Sequence, residues 1–328
     1  MQVETREDTI SNIASYYGIK PDLLRRHYKK KVSGFKEWDQ YIHPEQYLIY
    51  PENIGSYLSI DEVSLSKGEL YTFVTNKNGN GKKKTLVACI KGTKSQDIID
   101  VISKIPLEKR KLVKEITLDM ANNMQLASRI CFPEASLVTD RFHVVKLVMD
   151  ALQHVRIKYR WNEIEAENQA IQIAKEQGQK YIPIILENED TPKQLLARSR
   201  YIIAKKENQW TENQKHRALL LLKRYPLLHK AHKHTLEFRN IYEQTTKQLA
   251  RRMILEWIEK TKKIEIKEFN TAANSLNYHM ETILNFFTNR SINASAESFN
   301  AKIKLFRANL RGVADTKFSL FRLEKLFS

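Results

Sequence analysis

The chain has 328 residues, enough for one large domain or two modest ones with separate cores. Its 55 Lys and Arg against 38 acidic residues give a net charge of +17, and 42% of residues are hydrophobic. This composition excludes a disordered chain and favours a polyanionic partner, because basic side chains release counterions from nucleic-acid phosphates. Cys89 and Cys131 lie in apolar segments without CxxC spacing, which excludes a disulfide framework or zinc finger and suits a reducing compartment. The first residues lack the basic-then-apolar order of a signal peptide, and no apolar run reaches the roughly 20 residues that span a bilayer. A cytoplasmic protein without a membrane partner is expected.

In chain order, residues 1–32 predict a small helical unit. Ile10, Ile13 and Ala14 recur at helical spacing, Gly18 breaks the pattern, and Leu23 and Leu24 restart it after Pro21. This is the outline of a helix-turn-helix; two short helices packed for other reasons would read the same way. The second helix runs into Arg25-Arg26-His27-Tyr28-Lys29-Lys30-Lys31, which makes Arg25, Arg26, Lys29 and Lys30 candidate DNA contacts. Residues 33–55, with Gly34, Pro44, Pro51 and Gly55, read as a linker. Strands are expected over 57–61, 69–75 and 85–90, with a glycine-bearing turn at 78–81 before the third. A helix follows over 97–105. A fourth strand, 115–118, runs into Asp119, a short helix precedes Pro133, and a fifth strand, 135–138, leads to Asp140.

Three strands joined by turns and then strand–helix alternation predict a mixed α/β fold: a five-stranded mixed sheet covered by helices. This sheet domain is assigned to 56–150, and an all-helical block to 151–288. Val144, Val148, Leu152 and Val155 form one stripe leading into that block, which residues 177–192 interrupt. The Trp residues at 161, 210 and 257 are expected as packing anchors rather than base-stacking platforms. The final segment, 289–328, carries a helix that starts near Asn293-Ala294-Ser295 and has Phe299, Ile303 and Phe306 along one side.

Asp61 is expected to end the first strand and Asp119 the fourth, where functional groups of sheets with helical crossovers gather. Taken singly, an aspartate in such a position is more often a turn or helix cap than a ligand. Carboxylates on neighbouring strands repel unless divalent cations sit between them. Oxygen donors without cysteine point to Mg2+, with Mn2+ as a substitute, rather than zinc. Two ions about 3.5–4 Å apart suit displacement at a phosphodiester. Glu297 falls with Asn300 and Lys304 on the helix face away from Phe299, Ile303 and Phe306, so it projects from a packed element; a first-turn glutamate favoured by the helix dipole is the alternative.

Four segments occur in order: Ser59-Ile60-Asp61-Glu62, Thr117-Leu118-Asp119-Met120-Ala121, Asp140-Arg141-Phe142-His143-Val144-Val145-Lys146, and a stretch from Asn293 that includes Glu297-Ser298-Phe299-Asn300-Ala301-Lys302-Ile303-Lys304. Together they resemble the DDE transposases of bacterial insertion sequences, within them the ISL-three group, over about residues 55–328. The segments Ser199-Arg200-Tyr201-Ile202-Ile203 and Tyr225-Pro226-Leu227-Leu228 are similar to family segments too. The resemblance implies an RNase H-like catalytic fold interrupted by a helical insertion and completed by residues 289–328. It implies metal-dependent DNA strand cleavage and strand transfer, with Asp61, Asp119 and Glu297 as first, second and third metal ligands. Asp140 and His143 correspond to an Asp-x-x-His motif near the site. Lys302, Lys304, Arg307 and Arg311, with Asn300, are candidate contacts to double-stranded DNA. A homodimer on DNA, associated with the nucleoid when bound, is implied. Many similar transposases carry a zinc-binding module before their helix-turn-helix; its absence here predicts a separate end-recognition protein or a truncated element. The rival readings are a transposase-derived DNA-binding regulator without catalysis and an RNase H-fold nuclease that cuts without joining.

Overall fold

The computed structural model describes residues 2–5, 8–66, 68–264, 266–290, 294–309 and 315–328. The chain divides into two compact units, residues 1–140 with 289–328, and residues 141–288. Among the described residues no helix is long and apolar enough to cross a membrane.

The first unit opens with α1 (Gln2–Thr5), α2 (Ile10–Tyr16) and α3 (Pro21–His27). Thr9 caps α2, its hydroxyl accepting from the Asn12 N–H at 2.9 Å. Gly18, at φ +63°, makes the turn that a residue with a side chain resists. After α3 the chain widens into a π-helical turn, Tyr28–Val32, which buries Tyr28 completely. The sheet consists of β1 (Tyr47–Ile49), β2 (Tyr57–Ser66), β3 (Glu69–Asn76), β4 (Leu86–Lys91), β5 (Glu115–Leu118) and β6 (Ser136–Thr139), with α4 (Ser95–Ile102), α5 (Leu107–Arg110) and α6 (Asn122–Cys131) between the later strands. Its order is β1-β4-β3-β2-β5-β6; the first four pair antiparallel, while β2–β5 and β5–β6 are parallel. The sheet therefore has six strands rather than the expected five. The sixth, β1, lies inside the segment read as a linker, where three residues extend the edge by pairing with β4.

Residue alternation separates the two sheet faces. Leu58, Ile60, Val74, Ile116, Leu118 and Leu137 pack against Ile98 and Ile102 of α4 and Met124, Ala127 and Cys131 of α6. On the opposite face, Val63, Tyr71, Phe73 and Cys89 join a cluster that draws in both ends of the chain: Val3, Ile10, Ile13 and Tyr28 together with Phe299, Ile303, Phe306, Phe321 and Phe327. Residues 1–32 thus share a core with the sheet. Buried Arg322 fastens this arrangement by donating to the carbonyls of Val3 at 3.0 Å and Asp8 at 2.9 Å.

The second unit is helical: α7 (Arg141–Glu176), α8 (Pro192–Arg198), α9 (Glu212–Arg224), α10 (Pro226–Ile241), α11 (Lys247–Ile264), α12 (Lys267–Tyr278) and most of α13 (Met280–Asn289). Val144, Val148, Leu152 and Val155 are all buried, as their spacing predicts. Trp257 is a packing anchor, stacked on His234 at 4.3 Å, whereas Trp161 is 63% exposed and is not one. The chain then returns to the first unit as α14 (Ala294–Asn309) and α15 (Thr316–Phe327).

Candidate active site

Strand register dictates which side chains meet. Ser59 of β2 lies beside Thr117 of β5, and Leu118 of β5 beside Thr139 of β6. Two steps along β2 and β5 bring Asp61 level with Asp119, and one step past Leu118 and Thr139 brings Asp119 level with Asp140. The ladder continues to that point, since the Asp140 N–H donates to the Leu118 carbonyl at 2.8 Å. Neighbouring strands lie roughly 4.8 Å apart, so the three aspartates form one row across the carboxyl ends of three parallel strands. Ile60 and Leu118 face the apolar layer, so the row faces the other way, onto the side that carries α14.

Asp61 differs from its expected setting. The strand does not stop there: β2 continues to Ser66 because β3 keeps pairing with it after β5 has ended, and Asp61 sits opposite Phe73. Asp61 ends only the parallel part of the strand. Its Oδ1 accepts from the Glu62 N–H at 2.8 Å, and its Oδ2 accepts from the Asn300 side-chain amide. Asp119 Oδ1 accepts from the Ala121 N–H at 2.7 Å, an Asx turn that leads the chain into α6. Glu62 has its pKa raised by partial burial and then by the charges of Asp119 and Asp61, which puts a further carboxyl within electrostatic reach of the row.

Helix α14 supplies the third acidic residue. Phe299, Ile303 and Phe306 are buried, as expected. Asn300 is turned inward onto Asp61, and Glu297, one turn earlier, is exposed. The helix is docked at the β3–β4 turn, where Lys302 Nζ donates to the Gly81 carbonyl at 2.7 Å. Among the described residues, no three His, Cys, Asp or Glu side chains stand close enough to hold one metal ion. The donors nonetheless suit a hard cation: Asp61 and Asp119 offer carboxylate oxygens at adjacent ladder positions, with Glu62 nearby and no thiolate in the row. His143 lies in the first turn of α7, in the second unit.

The basic candidates divide by what holds them. Arg26, Lys30 and Lys304 are exposed, and exposed Arg25 lies 3.7 Å from Asp22. Lys29 pairs with Asp315 at 2.5 Å, and Arg307 donates to the Ser64 carbonyl at 2.8 Å. Arg311 lies outside the described residues, as does Asn293 at the expected start of the last helix. Two residues of the polar face were missed in the sequence: Glu115, and Lys77 in the turn after β3, whose ammonium bonds Glu115 at 3.2 Å. The alternation Glu115-Ile116-Thr117-Leu118-Asp119 was the available signal for Glu115, since it puts Glu115 on the same face as Asp119.

No curated protein matches the chain. Residues 58–323, from the second residue of β2 into α15, match the family model of the ISL-three DDE transposases, whose description is transposase. The match covers more than half of the chain, which therefore belongs to this transposase family.

Proposed function

We propose that the protein cleaves DNA strands at the ends of a mobile element and joins them to target DNA, with Asp61, Asp119 and Glu297 as its catalytic carboxylates. The register that sets Asp61 beside Asp119 on the face carrying α14 is the observation that supports this most directly. The antiparallel run β2–β4 followed by two strands parallel to β2, with helices between the later strands, favours an RNase H-like reading of the sheet.

Asp61 and Asp119 would hold Mg2+, or Mn2+ in its place, and Glu297 would complete the set by a side-chain rotation, since it shares a helix face with Asn300. When bound, the ions supply the positive charge that activates an attacking oxygen and stabilises the leaving one. The chain's own groups orient that chemistry. The Asn300 amide holds Asp61 in one rotamer, the Asx turn fixes Asp119, and packed Phe299 and Ile303 anchor the turn of α14 that bears Glu297. Water serves as nucleophile for cleavage and the freed 3′ hydroxyl for joining, so no serine or tyrosine nucleophile is required. Arg25, Arg26, Lys30 and Lys304 are the basic residues best exposed to meet phosphates. Two copies act on the DNA.

Asp61→Asn, Asp119→Asn and Glu297→Gln each abolish strand cleavage while DNA binding persists. Full cleavage by any one of them with Mg2+ or Mn2+ supplied overturns the assignment. A pre-cleaved 3′ end offered with a target duplex tests joining: cutting without joining marks a nuclease, and binding without either marks a regulator.

A further inference from the structure

Lysine in a tight turn ordinarily extends into water. Lys77 opens the 3-10 turn Lys77–Gly79 after β3, yet its side chain is only 11% exposed. It reaches across β2 to β5, where Nζ lies 3.2 Å from Glu115 Oε1 and donates to Thr117 Oγ1. Glu115 is itself 3% exposed, and its other oxygen accepts from the Asn289 amide at 3.3 Å. Glu115 and Thr117 share the face of Asp119, so the ammonium sits one pleat repeat, roughly 6.7 Å along β5, from the carboxylate row. Burial pulls the pKa of Lys77 down, and the charges of Glu115 and then Asp140 act against that.

Stability does not account for a lysine here. Withdrawing an ammonium and a carboxylate from water costs about as much as their attraction returns, and an apolar pair of similar volume would serve as well. A fixed positive charge does have a consequence for the row. It stands over β5, the strand that carries Asp119, and so weakens the hold of the whole row on a mobile cation.

We infer that Lys77 is a positioning residue that sets the cation affinity of the carboxylate row. This rests on the metal-holding reading proposed above. Removing the lysine makes the row more negative and tightens cation binding; removing Glu115 makes it less negative and weakens binding. A purely structural pair behaves otherwise, because breaking it from either side loosens the same strands and moves affinity in the same direction.

The test is a Mn2+ titration of the full chain without DNA, followed by electron paramagnetic resonance. Lys77→Met is expected to tighten Mn2+ binding and Glu115→Gln to weaken it, each by about tenfold, the scale of one unit charge roughly 8–10 Å from a dication in a well-screened site. Lys77→Met/Glu115→Gln returns affinity to near the wild-type value. Shifts of the same sign in the two single variants, or no shift in either, overturn the inference. If Lys77→Met does not fold, Glu115→Gln and the double variant decide the matter: Glu115→Gln must bind more weakly than the double, and equal affinity overturns the inference. Asp61→Asn is the control for the underlying reading. Wild-type Mn2+ binding that survives it removes the metal site itself, whereas binding lost in Asp61→Asn but indifferent to Lys77 and Glu115 removes only the role of the lysine.

Discussion

In the helical unit, the Asp190 carboxylate is fully buried and meets Arg198 on one oxygen and Arg217, at 3.1 Å, on the other, with the Asn188 amide at 2.7 Å. In the sheet unit, Asp61 and Asp119 receive neutral amide donors, and the nearby ammonium of Lys77 is engaged by Glu115. The first arrangement surrounds one anion with two cations and fastens the loop before α8 to α8 and α9. The second sets anions side by side on parallel strands. A carboxylate met by guanidinium groups is a clasp, whereas a row met by neutral donors keeps a negative field that attracts cations from solution. Burial alone does not distinguish them; the charge of the neighbours does.

The largest effect expected from this contrast is on chemistry. Asp61→Asn and Asp119→Asn should each lower strand cleavage by on the order of 10³-fold or more, the scale of losing a principal electrostatic group. Neither should lower Tm, since each relieves repulsion. Asp190→Asn should do the reverse, keeping cleavage within a few-fold while lowering stability. Paired cleavage assays and thermal melts on the same preparations check this, and a cleavage loss at Asp190 as deep as at Asp119 would erase the distinction.

Much of the carboxylate row was legible in the sequence, and little of the Asp190 clasp. Alternation in Leu58-Ser59-Ile60-Asp61 and Ile116-Thr117-Leu118-Asp119 records which side faces the core, because a strand repeats every two residues. Phe299, Ile303 and Phe306 likewise record the buried face of α14. The spacing leaves out what depends on distant partners. Strand β1 is three residues long and exists through pairing with β4. Lys77 reads as a turn lysine until β5 is set two strands away. Asn300 was grouped with the outward residues of its helix, and only the position of Asp61 turns it inward. Asp190 carried no local mark, since its partners lie 8 and 27 positions along the chain.

Next in size is the clasp itself. Asp190→Ala removes the anion and leaves two guanidinium groups facing each other. Breaking such a pair from one side costs 3–5 kcal/mol when both members are buried, and the exposure of Arg198, 57%, reduces that to about 2–3 kcal/mol. Chemical denaturation followed by a probe in the helical unit measures it; a cost below about 1 kcal/mol would mean that the clasp contributes no more than a surface pair.

Acid separates the two units further. His234 is buried between Trp257 and Phe269 and hydrogen-bonded to Thr261 at 2.7 Å, and burial pulls its pKa down to about 4. A base held below its ordinary value keeps the native state from taking up a proton that the unfolded chain accepts. Its contribution is therefore complete above pH 6.5 and is lost as pH falls toward 4. Between pH 7.5 and pH 5 the helical unit should lose about 2 kcal/mol, and His234→Phe should flatten that slope. Hydrogen exchange of α10 and α11 amides across this range reports it. Equal slopes in wild type and variant would place the acid sensitivity elsewhere, with buried His232, whose pKa burial also lowers, the next group to replace.

The smallest expected effect concerns the basic residues proposed to meet DNA. Lys29 is ion-paired with Asp315 and lies 4.9 Å from the Phe35 ring and 5.2 Å from the Phe318 ring, so its ammonium is occupied within the first unit. Arg26 and Lys30, on the same segment, are exposed. A phosphate contact adds about 0.9 to the slope of log affinity against log salt. Arg26→Ala and Lys30→Ala should each reduce that slope by about one, whereas Lys29→Gln should leave it unchanged and cost under about 1 kcal/mol of stability, as half-exposed pairs do. This extends the contrast to the surface: a cation already matched to an anion has little attraction left for DNA. A slope loss at Lys29 equal to that at Lys30 would show that the Asp315 pair opens on DNA, and local charge matching would then no longer separate structural from DNA-facing basic residues in this segment.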